Sequence, residues 1–309
     1  MKKYMGYYDS VNGVNRIAYY VCEPDGKPCC IVQIAHGMCE NAALYKRLMN
    51  FLAARGCIVC ANDFLGHGRS VRDFNDVGFF AEKNGWRCIV RDMKTLTDII
   101  SERYKGIPVI LVGHSMGSFA VREYLTWYGD ILAGCVLVGT SDGFESRKPL
   151  LHLARFMCLY EGGRYHAPLV MKMGCGYFCH KMGVMSYGWD WVSRDKNVRE
   201  LMDRHSFDYT ARAYYDIVTI LDVISAPDWA YSVPPELPIL MMSGSRDAVG
   251  NCGKGVARLY RRLRRAGITN LKVRLYNGAR HMLLHETNRI KVYGDLYKWI
   301  NSVIDKEKI

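Results

Sequence analysis

No uncharged run in this 309-residue chain is long enough to cross a membrane. The longest, residues 106–121, falls short of the roughly 20 apolar residues that a spanning helix needs. The opening "MKKYMGYYDSVNG" is basic but carries no apolar h-region, so no signal peptide is expected. The twelve cysteines contain no set of C-x-x-C pairs and no zinc pattern. "CIVC" at 57–60 is such a pair only in letters, because it lies inside a strand pattern. Cys29, Cys57, Cys60 and Cys135 sit in apolar runs, where a free thiol behaves as a small hydrophobe. Without an export signal, reduced thiols and a cytoplasmic location are expected. There is no internal repeat and no low-complexity segment.

Half of the residues are hydrophobic, enough for a large core. One large α/β domain with an insertion fits this length better than two equal domains. The net charge is +12, from 42 Lys and Arg against 30 Asp and Glu. Its densest source is "RLYRRLRRAG" at 258–267, where apolar residues at 256, 259, 260 and 263 mark one amphipathic helix with a basic outer face. That face reads as solvated, with transient adsorption to an anionic membrane surface as the alternative. No aromatic platform or nucleic-acid motif accompanies it, so nucleic acid is not an expected partner.

Strand and helix patterns alternate along the chain. "GYYDSV" and "NRIAYYVCE" flank Asn12-Gly13, a hairpin turn. Strands follow in "CCIVQIAHG", "CIVCANDF", residues 107–112, "GCVLVGTS", "LPILMMSGS" and "LKVRLYNG". Helices are expected in "NAALYKRLMNFLAARG", residues 86–104, the segment after Ser115, the basic run and residues 286–304. This order implies a mostly parallel sheet with helices on both faces. Residues 143–235 hold no clear strand and read as an inserted helical cap; residues 1–142 and 236–309 then form the core. The Met- and aromatic-rich stretch "PLVMKMGCGYFCHKMGVMSYGWDW" suits an adaptable apolar pocket, or simply packing of cap on core.

The stretch "IPVILVGHSMGSFAVREYL" at 107–125 leaves no residues for a loop between its strand and its helix. The chain must therefore turn sharply at Ser115, with strained dihedrals and no room for side chains at Gly113 and Gly117. This is a G-x-S-x-G nucleophile elbow, which lifts the hydroxyl to the top of the sheet at a helix N-terminus. A serine needs a base, and the base an orienting acid. In this architecture the order is Ser, acid, His. Of nine histidines, only His281 and His285 follow the last strand. His281, just past the turn "NGAR", is the preferred base; His285 is placed in the closing helix. Asp247 in "MMSGSRD" is the preferred acid, with Asp142 in "GTSD" the rival; otherwise Asp142 is a cap-hinge residue. The backbone N–H groups of Met38 and Met116 are the expected oxyanion donors. His36 and His114, at strand ends, are read as structural. "HMLLH" at 281–285 lacks the glutamate of a zincin, so no metal or other cofactor is expected.

With these residues in place, the sequence resembles the monoacylglycerol lipase and lysophospholipase branch of the α/β-hydrolase fold. The matching pieces are "IAHGMCENAALYKRL", "NDFLGHGRS", "GHSMGS", "SGSRDAVG" and "NGARHMLLHETNR", spread over residues 31–300; "WVSRDKNVRE" is similar to bacterial members. The resemblance implies a triad of Ser115, Asp247 and His281. It also implies an oxyanion hole of the Met38 and Met116 amides, and hydrolysis of single-acyl lipid esters under a helical cap. The same triad would serve a small ester, a thioester or a peptide N-terminus. A ligand-binding protein on the same scaffold would be marked by a lost triad member, and none is lost. Serine at the elbow argues against dehalogenase or epoxide-hydrolase chemistry, which uses aspartate there.

Overall fold

A computed structural model describes residues 1–143, 147–184 and 188–305. Parts of the expected cap (144–146, 185–187) and core (306–309) lie outside the described residues. Eight strands form one sheet: β1 (Lys2–Asp9), β2 (Arg16–Glu23), β3 (Cys30–Ala35), β4 (Cys57–Asn62), β5 (Val109–His114), β6 (Gly134–Val138), β7 (Ile239–Gly244) and β8 (Leu271–Tyr276). Their order is β1-β2-β4-β3-β5-β6-β7-β8. The β1–β2 hairpin and the β2–β4 pair are antiparallel, and every later pair is parallel. This is the mostly parallel, doubly covered sheet that the alternating patterns predict, in the α/β-hydrolase fold that the resemblance implies.

Alternation along each central strand divides the core. Ile31, Ile58, Leu111, Leu137 and Met241 belong to one cluster, which includes residues of α2 (Gly85–Arg103), α3 (Met116–Tyr128) and α8 (Lys254–Arg265). Val32, Val59, Ile110, Val136 and Leu240 belong to the other, with α1 (Lys46–Ala53) and α9 (Arg289–Ile304). Both faces are apolar, so the strands read as unbroken hydrophobic runs. One buried exception is Gln33, which donates to Met93 O at 2.8 Å and accepts from Thr97 Oγ1 at 2.8 Å, tying β3 to α2.

Two helix boundaries differ from the sequence reading. The first helix opens with a 3-10 turn, Ala42–Tyr45, before α1. At the other end, His285 stands in a 3-10 turn, Leu283–His285, and α9 begins only at Arg289. The physical reason is Glu286. Its buried carboxylate accepts backbone N–H bonds from Arg194, Arg280 and Thr287, and its extended backbone breaks the helix there.

Between β6 and β7 run four helices: α4 (Arg147–Tyr160), α5 (Pro168–Lys181), α6 (Lys196–His205) and α7 (Ala211–Val223). Arginines of the core hold both ends of this excursion. Arg122 of α3 donates to Ser141 O at 2.5 Å and to Ile224 O at 2.7 Å. Arg262 of α8 donates to Ile224 O at 3.0 Å and also to Ala226 O. Arg258 grips the Asp142 carboxylate at 2.6 and 3.2 Å, and Ser225 Oγ donates to Asp142 O at 3.4 Å. Arg258 and Arg262 thus reach back to the chain, while Lys254, Arg258, Arg261, Arg264 and Arg265 stay exposed and leave the outer face of α8 largely solvated.

Asp92 of α2 anchors the N-terminal hairpin by accepting from Ser10 Oγ at 2.7 Å and Val11 N at 2.9 Å. Burial pushes its carboxyl up to about 7, against the pull of these two donors. A carboxyl raised in the fold favours the folded state while protonated, and that stability is lost as pH climbs from the unfolded value near ~4 towards 7. Asp92→Asn keeps an acceptor without the charge. Thermal denaturation should find it more stable than wild type at pH 8, with the gap closing or reversing by pH 4. A constant gap across that window would refute the assignment.

Candidate active site

The elbow is built by close approach. Ser115 takes φ 50° and ψ −120°, a conformation costly for a residue with a side chain. A Cβ at Gly117 would stand 2.2 Å from Ala35 O, and one at Gly113 would stand 2.6 Å from Gly117 O. Gly117 thus lets the first turn of α3 press against the end of β3, and Gly113 lets it press against β5. Ser115 N donates to Val138 O at 2.9 Å, which fixes the turn to β6 as well.

His281 lies in the loop after β8 and bridges two partners. Its Nε2 is 2.8 Å from Ser115 Oγ and its Nδ1 is 2.9 Å from Asp247 Oδ1. Asp247 and His281 are both buried. Burial would push the Asp247 carboxyl up. The His281 imidazole, the Gly250 amide and the Ser243 hydroxyl outweigh it and hold the carboxyl below its ordinary range. Asp142 is engaged with Arg258 instead, and His285 is buried beside the Tyr45 ring, its imidazole pushed down by burial to about 4. The structure therefore brings Ser115, His281 and Asp247 together and leaves both rivals elsewhere.

The loop after β3 carries Met38, whose amide is an expected oxyanion donor. Gly37 N is taken by Glu40 Oε2 at 2.7 Å, and Cys39 N by the Tyr209 hydroxyl at 2.8 Å. The loop is thus pinned on either side of Met38. Met116 opens α3, where a backbone N–H has no carbonyl one turn back. Met38, Met116, Ser115 and His281 all line one cavity.

Glu40 and Trp191 left no readable trace in the sequence, whereas His36 and His114 keep the structural role read for them. Glu40 is buried and accepts from Tyr45 OH at 2.5 Å, with His114 Nδ1 at 3.0 Å. His114 Nε2 faces His281 O at 3.3 Å. Burial opposes charge on His114, but the Glu40 carboxylate prevails and its imidazole is raised. His114 is thus a brace under the loop of His281. His36 is structural too: Nδ1 donates to Gly37 O at 2.8 Å, and Nε2 accepts from Phe64 N at 2.9 Å. From the α4–α7 excursion, Trp191 lays its ring 5.1 Å from that of His281, tilted by 32°. Met282 N donates to Val192 O at 2.7 Å, and Arg280 donates to Asp190 O and Ser193 O.

The cavity over Ser115 holds about 460 Å³. Its walls come from Phe119 in the core and from Leu153, Met157, Phe178, Ile217 and Leu221 in the excursion. Glu40 is the one carboxylate among the described lining residues, and it is already bound. A hydroxyl, a base facing it, an acid behind the base and two backbone amides can perform acyl transfer on an apolar substrate.

Comparison with known proteins agrees with this geometry. The family described as "Serine aminopeptidase, S33" matches residues 26–288. A monoacylglycerol lipase of Mycolicibacterium smegmatis is 26% identical over 304 residues, 96% of either chain. The human monoglyceride lipase is 25% identical, over 90% of this chain and 84% of its own length. A thermostable carboxyl esterase of Bacillus coagulans, solved with glycerol, superposes with a TM-score of 0.91 at 27% identity, covering 98% of this chain and 99% of its own.

Proposed function

Since the chain belongs to the S33 serine aminopeptidase family of α/β-hydrolases, we propose that it is a serine ester hydrolase acting on single-acyl lipids, monoacylglycerols or lysophospholipids. The observation that carries this reading is the 2.8 and 2.9 Å bridge of His281 between Ser115 and Asp247 at the floor of an apolar cavity. Ser115 Oγ attacks the ester carbonyl while His281 Nε2 takes its proton. Asp247 holds the Nδ1–H and so fixes the ring's tautomer. The Met38 and Met116 amides receive the negative oxygen. The intermediate collapses, His281 returns the proton to the departing alcohol, and an acyl-enzyme remains. Water, deprotonated by the same ring, then releases the fatty acid and restores Ser115.

The cavity supports an acyl chain, and the names of the relatives support a glycerol ester. A peptide N-terminus fits less well. Its ammonium needs a carboxylate, and the only one on the described wall, Glu40, is occupied by Gly37, Tyr45 and His114. Residues 143–235 act as the helical cap, and residues 1–142 and 236–309 as the catalytic core. The cap's outer face is the surface that meets lipid. Leu159 and Tyr160 are 73% exposed, Leu169 67% and Met173 62%, with exposed Lys148, Arg155 and Lys172 around them. Arg261, Arg264 and Arg265 on the exposed face of α8 offer a second cationic surface for an anionic lipid.

Ser115→Ala should lower turnover of a p-nitrophenyl ester by at least about 10⁴-fold and abolish fluorophosphonate labelling. Labelling that persists would mean another nucleophile. Asp247→Asn should cost kcat on the order of 10⁴-fold, while Asp142→Asn stays close to wild type; the opposite ranking would move the acid to Asp142. For the lipid reading, kcat/KM on monoacylglycerols should climb with chain length from acetyl until the cavity is filled. A flat or falling series would remove the acyl pocket from the proposal.

A further inference from the structure

Among the described residues, one group of three metal-ligating side chains has its donor atoms within 4.8 Å of one another: Cys29, Cys30 and Cys57. Nothing in their spacing announces it, because the third thiol arrives through the sheet. Cys30 and Cys57 are the first residues of β3 and β4 and are directly paired in the parallel ladder. Successive residues of a strand point to opposite faces. Cys29 escapes that rule because it precedes the strand, its N–H bonded to Gly56 O at 2.9 Å, so its sulfur turns to within 3.9 Å of Cys30 Sγ. Cys30 and Cys57 are buried, whereas Cys29 is half-buried and gives solvent access. The cluster sits at the N-terminal ends of β3 and β4, at the opposite end of the sheet from Ser115, which follows the C-terminal end of β5.

We propose that these three thiols form a binding site for one thiophilic divalent cation of the zinc and cadmium class. Zinc–sulfur bonds of ~2.3 Å set sulfurs about 3.8 Å apart, and the Cys29–Cys30 separation of 3.9 Å already matches this. The remaining sulfurs need shift by no more than about an ångström. Both ladder cysteines are held by strand pairing, so the site is largely assembled before the ion arrives. Cys29 Sγ donates to Gly56 O at 3.2 Å and lies against Cys30 Sγ, contacts that a metal–sulfur bond would replace. On binding, each S–H bond breaks, its proton leaves to solvent, and the sulfur lone pair forms a metal–sulfur bond; no oxidation state changes. Three thiolates and a divalent ion leave one net negative charge. The Arg55 cation, whose field acts on Cys57, offsets it. The fourth coordination position faces the open side at Cys29 and takes water.

The test is a Cd²⁺ titration of the reduced full-length chain, read by the ultraviolet thiolate-to-metal charge-transfer band. One equivalent should saturate the band, release protons and raise the melting temperature. Cys29→Ala should weaken Cd²⁺ binding by at least about a hundredfold, more than loss of an outer-shell partner usually costs. This residue lies outside the strand and is half-exposed, so the variant should fold, and circular dichroism checks that it does. Cys252→Ser, at an exposed thiol, should bind as wild type does. The proposal falls if wild type shows no band at one equivalent, or if the band survives Cys29→Ala. It also falls if the band disappears with Cys252→Ser. Zn²⁺ competing stoichiometrically with Cd²⁺ supports the zinc class; failure to compete excludes it.

Discussion

The structure turns on the contact between the first turn of α3 and the carbonyl end of β3. Glycine at 117 is the condition for it, since a methyl group there would overlap Ala35 O and His36 O. Three features depend on that one contact. It forces the reversal at Ser115 that lifts the hydroxyl clear of the sheet. It sets the helix whose first amide is that of Met116 beside the loop that carries Met38. It also places Ser115 in the wall of the cavity that Met38 and Met116 line. Strain at Ser115 is tolerated because β6, β3 and α3 all hold the turn from different sides.

Two imidazoles stand side by side here, His114 and His281, with ring centroids 5.0 Å apart. Their partners decide what each can do. His114 faces an acceptor at either nitrogen, the Glu40 carboxylate and the His281 carbonyl, so it has no vacant nitrogen with which to take a proton from a hydroxyl. His281 has a carboxylate at one nitrogen and a hydroxyl at the other, which leaves Nε2 as an acceptor facing Ser115. Proximity to the serine did not separate them; the chemistry of the surrounding acceptors does. The buried Glu40–His114 pair also ties together the β3 loop and the loop of His281, the two segments that must keep register with the elbow.

Much of this was readable in advance for a physical reason. A sheet covered on both faces has uninterrupted apolar strands, and a strand that turns into a helix without a loop needs small residues around its pivot. Ser115, Gly113 and Gly117 therefore stand out in one dimension. What sequence could not show depends on pairings far along the chain. Glu40 matters because of residue 114, Trp191 because of 281, and Cys57 because of Cys29 and Cys30 across the ladder. His285 was expected in a helix because its surroundings are helical in pattern. The buried Glu286 carboxylate, with three backbone N–H donors, overrode that preference. The basic face of α8 is largely solvated, as its pattern reads, but nothing local signals that Arg258 and Arg262 also reach Asp142, Ile224 and Ala226.

The arginine grip on residues 141–142 and 224–226 constrains how the cavity can be reached. Both attachment points of the excursion are riveted to α3 and α8, and α7 packs on α2 and α3. The excursion cannot swing open as a single door, because its two hinges are bolted. α7 is thus masonry of the core, and α4 is laid on α7 in turn.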